Sequence, residues 1–472
     1  MNRDDPKARA TASAAAMDPG SSPGQAGLRP LTSYELIETT AQLREATGRL
    51  MSTEVSVVAL DTEFMREKTY WPQLCLLQLA AGDELWLVDA LAPGLDMAPL
   101  TEILASTSIL KLFHASGQDL QVLHHALGVA TAPIFDTQEA ATLLGYPEQI
   151  GYGALVSRVL GVELGKAESF TDWARRPLAA EQLNYAADDV RWLLRLYPVM
   201  KARLCELGRE RWLDEDFARK ADPASYVVEP REQFRRLRRV SALKPAQLAV
   251  AREVAAWREV EAARVDRPKR WLLSDESVLE IARRAPRNVE ALRGIRGVTL
   301  RRAEALREVL AAVARGAGMP RERWPRLATR ARAEYESAAE VDLMVALVRA
   351  RARENLLSMN QLASRAQLEE LALWWRERRG RAGEGKVEVE VVAGDGAGAG
   401  AAAGVGAEVG ARLGAAGDSP LLRGWRRAMV GEDLLRLLDG RLQLSLRDGQ
   451  LVVGTVEVVG PLEREDEGED RE

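Results

Sequence analysis

The chain has 472 residues, 47% hydrophobic and 29% charged, a balance that suits a globular protein of roughly three domains at about 150 residues each. No apolar run approaches the ~18 residues of a membrane-crossing helix, and the first thirty residues lack the apolar stretch of a secretory signal. Two cysteines, Cys75 and Cys205, are too few for a disulfide framework or a zinc site, which points to the cytoplasm.

Residues 1–30, rich in Ala, Gly, Ser and Pro, read as a disordered leader. The net charge of −5 argues against a nucleic-acid partner, but it hides an asymmetry. Residues 463–472 are strongly acidic, whereas 231–330 are crowded with arginine, and a phosphate backbone meets the local patch rather than the sum.

A short strand is expected at Tyr34–Glu38, then a helix near 41–50 capped by Thr39 or Thr40. Val55 to Leu60 is apolar at every position but Ser56 and carries three valines, so it reads as a buried strand that ends on Asp61 and Glu63. Leu74–Ala80 and Leu85–Val88, joined by a turn at 81–83, form an antiparallel hairpin and extend that strand into a meander. A helix near 96–105 leads to a strand at Ile109–Phe113, a helix over 116–127, and a strand at Ile134–Asp136. Helices at 137–144 and 151–160 follow, and one long helix is expected over 179–207. Strands that are first antiparallel and then alternate with helices define an α/β fold, a mixed sheet with helices on both faces. In such sheets functional residues gather at strand ends and in the helices that follow them.

Strand side chains alternate, so Asp61 and Glu63 project from one face, and two adjacent carboxylates at the end of a buried strand repel. A hard divalent cation relieves that repulsion; a plain strand end meeting solvent is the bland explanation. Asp119 sits at the start of the helix after Phe113, where Ser116-x-x-Asp119 also fits a capping box. Tyr185 and Asp189 share one face of the long helix, beside an apolar stripe of Leu183, Ala187, Val190, Leu194 and Tyr197. Asp188 lies equally within reach of Tyr185, and spacing alone leaves that choice open.

The order Asp-x-Glu, Gln-Asp, Tyr-x-x-x-Asp resembles the DEDDy class of 3′→5′ exonucleases. Asp61-Thr-Glu-Phe-Met-Arg-Glu67, Thr69 to Leu79, Phe113 to Leu120 and Phe135-Asp-Thr137 are similar to the bacterial ribonuclease D family. So are Thr171-Asp-Trp173, Arg176-Pro-Leu178 and Tyr185 to Val190, an unbroken series over about residues 33–210. The resemblance implies an RNase H-like exonuclease domain over 31–210 and settles the register on Asp189.

It also implies that Asp61, Glu63, Asp119 and Asp189 hold two divalent ions, for which an oxygen-only ligand set favours Mg²⁺ or Mn²⁺. Tyr185 is expected to orient the attacking water, with nucleoside 5′-monophosphates as products. Phe64 and Met65 are candidates to pack on the terminal base, and His114 and Gln118 to reach the scissile region. The implied substrates are 3′ ends of tRNA precursors and other structured RNAs. A DNA 3′→5′ exonuclease and a non-catalytic RNA-binding scaffold are the alternatives.

From 231 to 316 the pattern turns all-helical, with a helix over Leu248–Val260, another opened by Ser274 and stopped at Pro286, and a third from Thr299 to Gly316. Arg235, Arg236, Arg238, Arg239, Arg267, Lys269, Arg270, Arg283, Arg284, Arg301 and Arg302 stud this stretch, and glutamate partners look sparse around 264–302. Ala256 to Glu259, Arg267 to Arg270 and Ile281 to Pro286 resemble the HRDC domain, which implies contact with the RNA backbone. Residues 335–440 look like a second, divergent HRDC module, interrupted by a Gly/Ala-rich disordered insert at 393–419. Residues 442–459 suggest a hairpin turning at 447–449, ahead of the acidic tail in the last segment, 441–472.

Overall fold

The computed structural model describes residues 33–52, 55–165, 171–327, 338–382, 419–448 and 450–456. The expected leader, the acidic tail and all of the Gly/Ala insert except Ser419 lie outside the described residues. The described residues divide into two compact units, one of residues 33–141 with 148–327, the other of residues 142–147 and those from 338 on.

The first unit opens with β1 (Glu35–Ile37), α1 (Thr40–Ser52), β2 (Val57–Met65), β3 (Gln73–Ala81) and β4 (Glu84–Asp89). Then come α2 (Pro99–Ala105), β5 (Leu110–Phe113), α3 (Gly117–Leu127), β6 (Ile134–Asp136) and α4 (Thr137–Leu143). The helices α5 (Tyr152–Leu160), α6 (Ala180–Arg191), α7 (Leu193–Glu206) and α8 (Asp214–Ala221) complete this part. The six strands form one mixed sheet in the order β1-β4-β3-β2-β5-β6. β2–β3 and β3–β4 are antiparallel, and β1–β4, β2–β5 and β5–β6 are parallel. Every residue of β3 after Gln73 is buried, as a strand covered on both faces requires. β2 and β5 are parallel neighbours, so the end of β2 and the helix that follows β5 share one rim of the sheet.

Two local expectations are corrected. β2 does not stop at Asp61 but runs to Met65, with a bulge between Glu63 and Phe64 that shifts its pairing with β3. The helix expected over 179–207 is two helices, α6 and α7, which meet at Trp192, whose amide donates to the Tyr152 hydroxyl at 3.1 Å. The break rotates the buried face, so Ala186, Ala187, Val190, Leu193 and Leu196 are buried, while Leu183, Leu194 and Tyr197 stay half-exposed.

A helical region follows within the same unit: α9 (Pro245–Arg264), α10 (Lys269–Leu272), α11 (Asp275–Arg284), α12 (Val289–Arg293) and α13 (Ala303–Ala317). Phe234, Val254, Val278, Ile281 and Val309 lie at the centre of its core, each fully buried. Ser274 caps α11 as expected, its hydroxyl accepting from the Ser277 amide at 3.1 Å. α13 begins at Ala303 rather than at Thr299, with Arg302 in the capping position.

This region docks on the loop between β2 and β3. The Asp266 carboxylate accepts from the amides of Tyr70 and Trp71 at 2.9 and 3.0 Å. The Tyr70 hydroxyl donates to Glu259 at 2.8 Å, and the Trp71 indole donates to the Ala263 carbonyl at 3.2 Å.

The second unit contains α14 (Ala338–Glu354), α15 (Met359–Leu362), α16 (Arg365–Ala382), α17 (Gly424–Arg426), α18 (Glu432–Leu438) and a hairpin of β7 (Leu442–Arg447) and β8 (Gln450–Thr455). Leu347, Val348, Leu368, Leu371 and Leu434 are fully buried. The Arg351 guanidinium ties α14 to α18 through Asp433, at 2.7 and 2.9 Å. The hairpin turns after Arg447, with Leu446 opposite Leu451, as its pattern suggests.

Packing in the first helical region leaves one position without slack. A Cβ on Gly316 of α13 would lie 2.5 Å from the Val250 Cα of α9, so only glycine lets the two backbones approach. Gly316→Ala is therefore expected to destabilise the protein by about 1–3 kcal/mol, the usual cost of overpacking. Chemical denaturation of the variant beside the parent checks this.

Candidate active site

The site is built on the bulged end of β2. Asp61 and Glu63 project from one face, and Thr62 between them points the other way into the fold. The Thr62 hydroxyl donates to Asp119 at 2.5 Å, so the strand that carries two acids also anchors a third. Asp119 is buried in the first turn of α3, 7% exposed. The capping box expected at Ser116 is absent: Ser116 occupies the cap position without a side-chain cap bond. Its hydroxyl donates instead to Asp136 at 2.9 Å, which frees Asp119 from capping.

α6 packs across β2, β3 and β4 and brings Asp189 to the pair. Carboxylate oxygens of Asp61, Glu63 and Asp189 all lie within 4.8 Å of one another, the one such acidic group found among the described residues. The Tyr185 phenol and the Asp189 carboxylate influence each other electrostatically. Asp188, the competing choice, is paired with Arg191.

Burial and mutual repulsion push these acids up together. Asp61 is raised well above the ordinary carboxylate range, first by burial and then by Asp119, Asp189 and Glu63. Glu63 rises to about 8 through burial and the charges of Asp189 and Asp119. Asp189 rises to about 7 and Asp119 to about 6, burial again leading in both. Burial and the neighbouring acids also raise the Tyr185 phenol, which therefore stays protonated.

This donor set fits divalent cations. It is oxygen-only and held closely, and the largest influences on Asp61 and Glu63 are burial and the neighbouring acids. Beside it, Gln78 pairs with Asp61 across β2 and β3, is fully buried, and has no hydrogen-bond partner for either amide atom. An orphaned amide at this spot suits a ligand or an ordered water.

The other candidates are placed unevenly. Phe64 and Met65 are half-exposed just past the bulge. Gln118 is exposed on the first turn of α3, next to Asp119. Both ring nitrogens of His114 are engaged within the protein, Nδ1 with the Thr137 hydroxyl and Nε2 with the Ile150 carbonyl, each at 2.9 Å.

Sequence reading missed several supports. Arg176 grips both oxygens of Asp89 at 2.6 and 2.7 Å and donates to the Cys75 and Trp173 carbonyls, pinning the 173–176 loop to the sheet. That loop places Trp173 with its ring centroid 6.2 Å from that of Tyr185. The motifs Thr171-Asp-Trp173 and Arg176-Pro-Leu178 were visible in the sequence, but their role was not, because their partners lie far along the chain.

A mixed sheet with an acidic rim, followed by an arginine-rich helical region, matches known domain families in the same order. Residues 34–204 match the 3′-5′ exonuclease domain family, and residues 247–313 match the HRDC domain. The ribonuclease D of Gluconacetobacter diazotrophicus is 38% identical over 419 residues, spanning 88% of this chain and 95% of that protein. That of Acidiphilium cryptum is 36% identical, spanning 89% and 96%. The crystal structure of Escherichia coli RNase D, an exoribonuclease involved in structured RNA processing, superposes with a TM-score of 0.65 at 28% identity. It covers 86% of this chain and 99% of its own. The chain belongs to the ribonuclease D family, and its activity is that of a 3′→5′ exoribonuclease.

The raised acids give the site a pH signature of its own. Between the ordinary carboxylate pKa near ~4 and the folded values, which reach about 8 at Glu63, the folded state holds protons that the unfolded chain has released. Stability of the metal-free protein should therefore fall as pH rises through that window. The melting temperature of the chelator-treated protein is expected to drop between pH 5 and 8, less steeply in Glu63→Gln and less steeply with Mg²⁺ added. Parallel, flat profiles in all three would contradict the assigned electrostatics.

Proposed function

We propose that the chain trims 3′ ends of structured RNAs, tRNA precursors among them, using Asp61, Glu63, Asp119 and Asp189 as ligands for two divalent ions, Mg²⁺ or Mn²⁺. The convergence of Asp61, Glu63 and Asp189 within 4.8 Å carries this reading. Bound cations would offset the carboxylate charge, activate water and stabilise the departing 3′ oxygen.

Tyr185 positions the attacking water beside Asp189, one helical turn away on the same helix. Its raised pKa disfavours a phenolate, so orientation rather than proton abstraction is its part. Phe64 and Met65 pack against the terminal base, Gln118 lies at the scissile end, and His114 reaches it only by giving up a present partner. Water attacks the terminal phosphodiester, and a nucleoside 5′-monophosphate leaves.

The domain reading is a nuclease over 31–210, an HRDC domain over 231–316 and a second, divergent HRDC-like module over 335–440. Support for the repeat comes from a shared order. A long helix, a four-residue helix and a further long helix recur as α9–α10–α11 and α14–α15–α16. Among the described residues no helix is long and apolar enough to cross a membrane, and Cys75 and Cys205 are free thiols, which suits a cytoplasmic enzyme.

With Mg²⁺ and a 3′-labelled RNA, Asp61→Asn should abolish release of mononucleotides. Tyr185→Phe should slow it by about 100-fold or more, as loss of a group that positions water commonly does. Undiminished hydrolysis by both variants would end this mechanism.

The helical region carries a separate prediction. Arg236, Arg239, Arg270 and Arg301 are exposed and make no ion pair among the described residues. RNA affinity should fall steeply with salt, and Arg270→Gln should reduce the log–log slope by about 0.7 if that side chain meets a phosphate. Filter binding across a salt series measures both slopes.

A further inference from the structure

The segment joining the nuclease to the HRDC region is itself wired into the acidic site. α8 lies beyond the stretch that matches the exonuclease family, yet it packs on β6, with Phe217 and Phe135 ring centroids 5.5 Å apart at 60°. One turn later the Lys220 ammonium reaches Asp136 at 2.7 Å and Glu139 at 2.5 Å. Asp136 is fully buried at the end of β6. Its carboxylate also accepts from the amides of Ala115 and Ser116 and from the Ser116 hydroxyl, each at 2.9 Å, and from the Gln138 amide at 3.0 Å.

Those donors form the turn that launches α3. Ala115 sits there at φ 65°, a left-handed conformation that a non-glycine residue keeps only when its surroundings hold it. Gly117, the first residue of α3, lies directly under the lysine stem: a Cβ there would be 3.9 Å from Lys220 Cε. Farther along, the Tyr226 hydroxyl donates to the Lys220 carbonyl at 2.5 Å, and its ring lies 5.9 Å from His124 in the last turn of α3. The linker thus holds α3 at both ends, and the acid that α3 delivers is Asp119.

We infer that Lys220 is a positioning residue for metal binding: through Asp136 and the 115–117 turn it holds α3 so that Asp119 meets the acids of β2. The inference rests on the reading of Asp119 as a metal ligand. It moves the functional end of the nuclease past residue 210, to include α8 and Tyr226. Lys220 touches neither metal nor RNA; it acts as an outer partner that orients a ligand-bearing element.

Mn²⁺ titration of the full-length protein by calorimetry tests this without relying on turnover. Lys220→Met is expected to weaken Mn²⁺ binding about tenfold or more, the usual cost of losing such an outer partner. Lys220→Arg should recover most of that loss. Lys220→Gln, which keeps a neutral donor, should fall between them and serves if the methionine variant does not fold. Phe217→Leu loosens α8 without removing the ammonium, so it should lower the melting temperature and leave Mn²⁺ affinity near that of the parent. Two results would overturn the inference: wild-type Mn²⁺ affinity in Lys220→Met, or an equal weakening in Phe217→Leu. Asp119→Asn separates the two levels of the argument. If it loses affinity while Lys220→Met does not, only the role of Lys220 fails. If it binds Mn²⁺ like the parent, the ligand assignment fails and takes this role with it.

Discussion

Like charges forced together at the end of one strand are the constraint on which the rest of the nuclease depends. Asp61 and Glu63 are side by side because a strand repeats every two residues, and Asp189 is pressed onto them by the packing of α6 across the sheet. Burial pushes each of the three upward, and the neighbouring acids add to it. An arrangement that unfavourable persists only if its surroundings over-determine it. The supports are correspondingly strong and come from far apart in the chain: Thr62 to Asp119, Arg176 to Asp89, and Lys220 to Asp136. Most of these are charge-assisted or short hydrogen bonds, the kind that fixes geometry best.

The same logic explains which parts of the site were legible in the sequence. Local periodicity places Asp61 with Glu63 and Tyr185 with Asp189, because both spacings lie within a single element. Asp119 was ambiguous, since a carboxylate three residues after a serine serves a cap as well as a metal. In the structure Ser116 makes no side-chain cap bond, and Asp119 is held instead by Thr62, a contact across 57 positions that no local pattern encodes. Gln78 was hidden in an apolar run, where its register opposite Asp61 becomes visible only once β2 and β3 are paired. The break at Trp192 was also unreadable, because it depends on the Tyr152 hydroxyl, forty residues upstream.

The arginine-rich region corrects a different kind of inference. Glutamate partners looked sparse because the stretch around 264–302 was read as if its partners were local. They come instead from α9, whose Glu253, Glu259 and Glu261 are each under 9% exposed. Glu261 pairs with Arg264 and Arg302, Glu259 with Lys269, and Glu253 with Arg231 and Arg315. Arg283 and Arg284 share Glu280 within α11. Much of the apparent basic patch is therefore internal structure. Arg236, Arg238, Arg239, Arg267, Arg270 and Arg301 are among those that remain for a phosphate backbone, exposed and in no ion pair among the described residues.

The helical region is tied to the acid-bearing strand by the loop that leaves β2. Five residues after Met65, Tyr70 and Trp71 fasten to Asp266, Glu259 and Ala263, and Asp266 leads directly into the α10 segment that carries Arg270. Strand β2 thus runs from the acids into the docking point of the helical region within a few residues. α8 makes the same connection from the other side, since Lys220 holds the turn before Asp119 and the chain then continues to Phe234 in the helical core. Two separate stretches of chain therefore fix the helical region relative to the carboxylates. A nuclease whose charge is negative overall can then present positive side chains at a set position relative to its own cutting site. RNA held by those side chains would meet the acids in an orientation decided by the fold, and not by the charge of the whole chain.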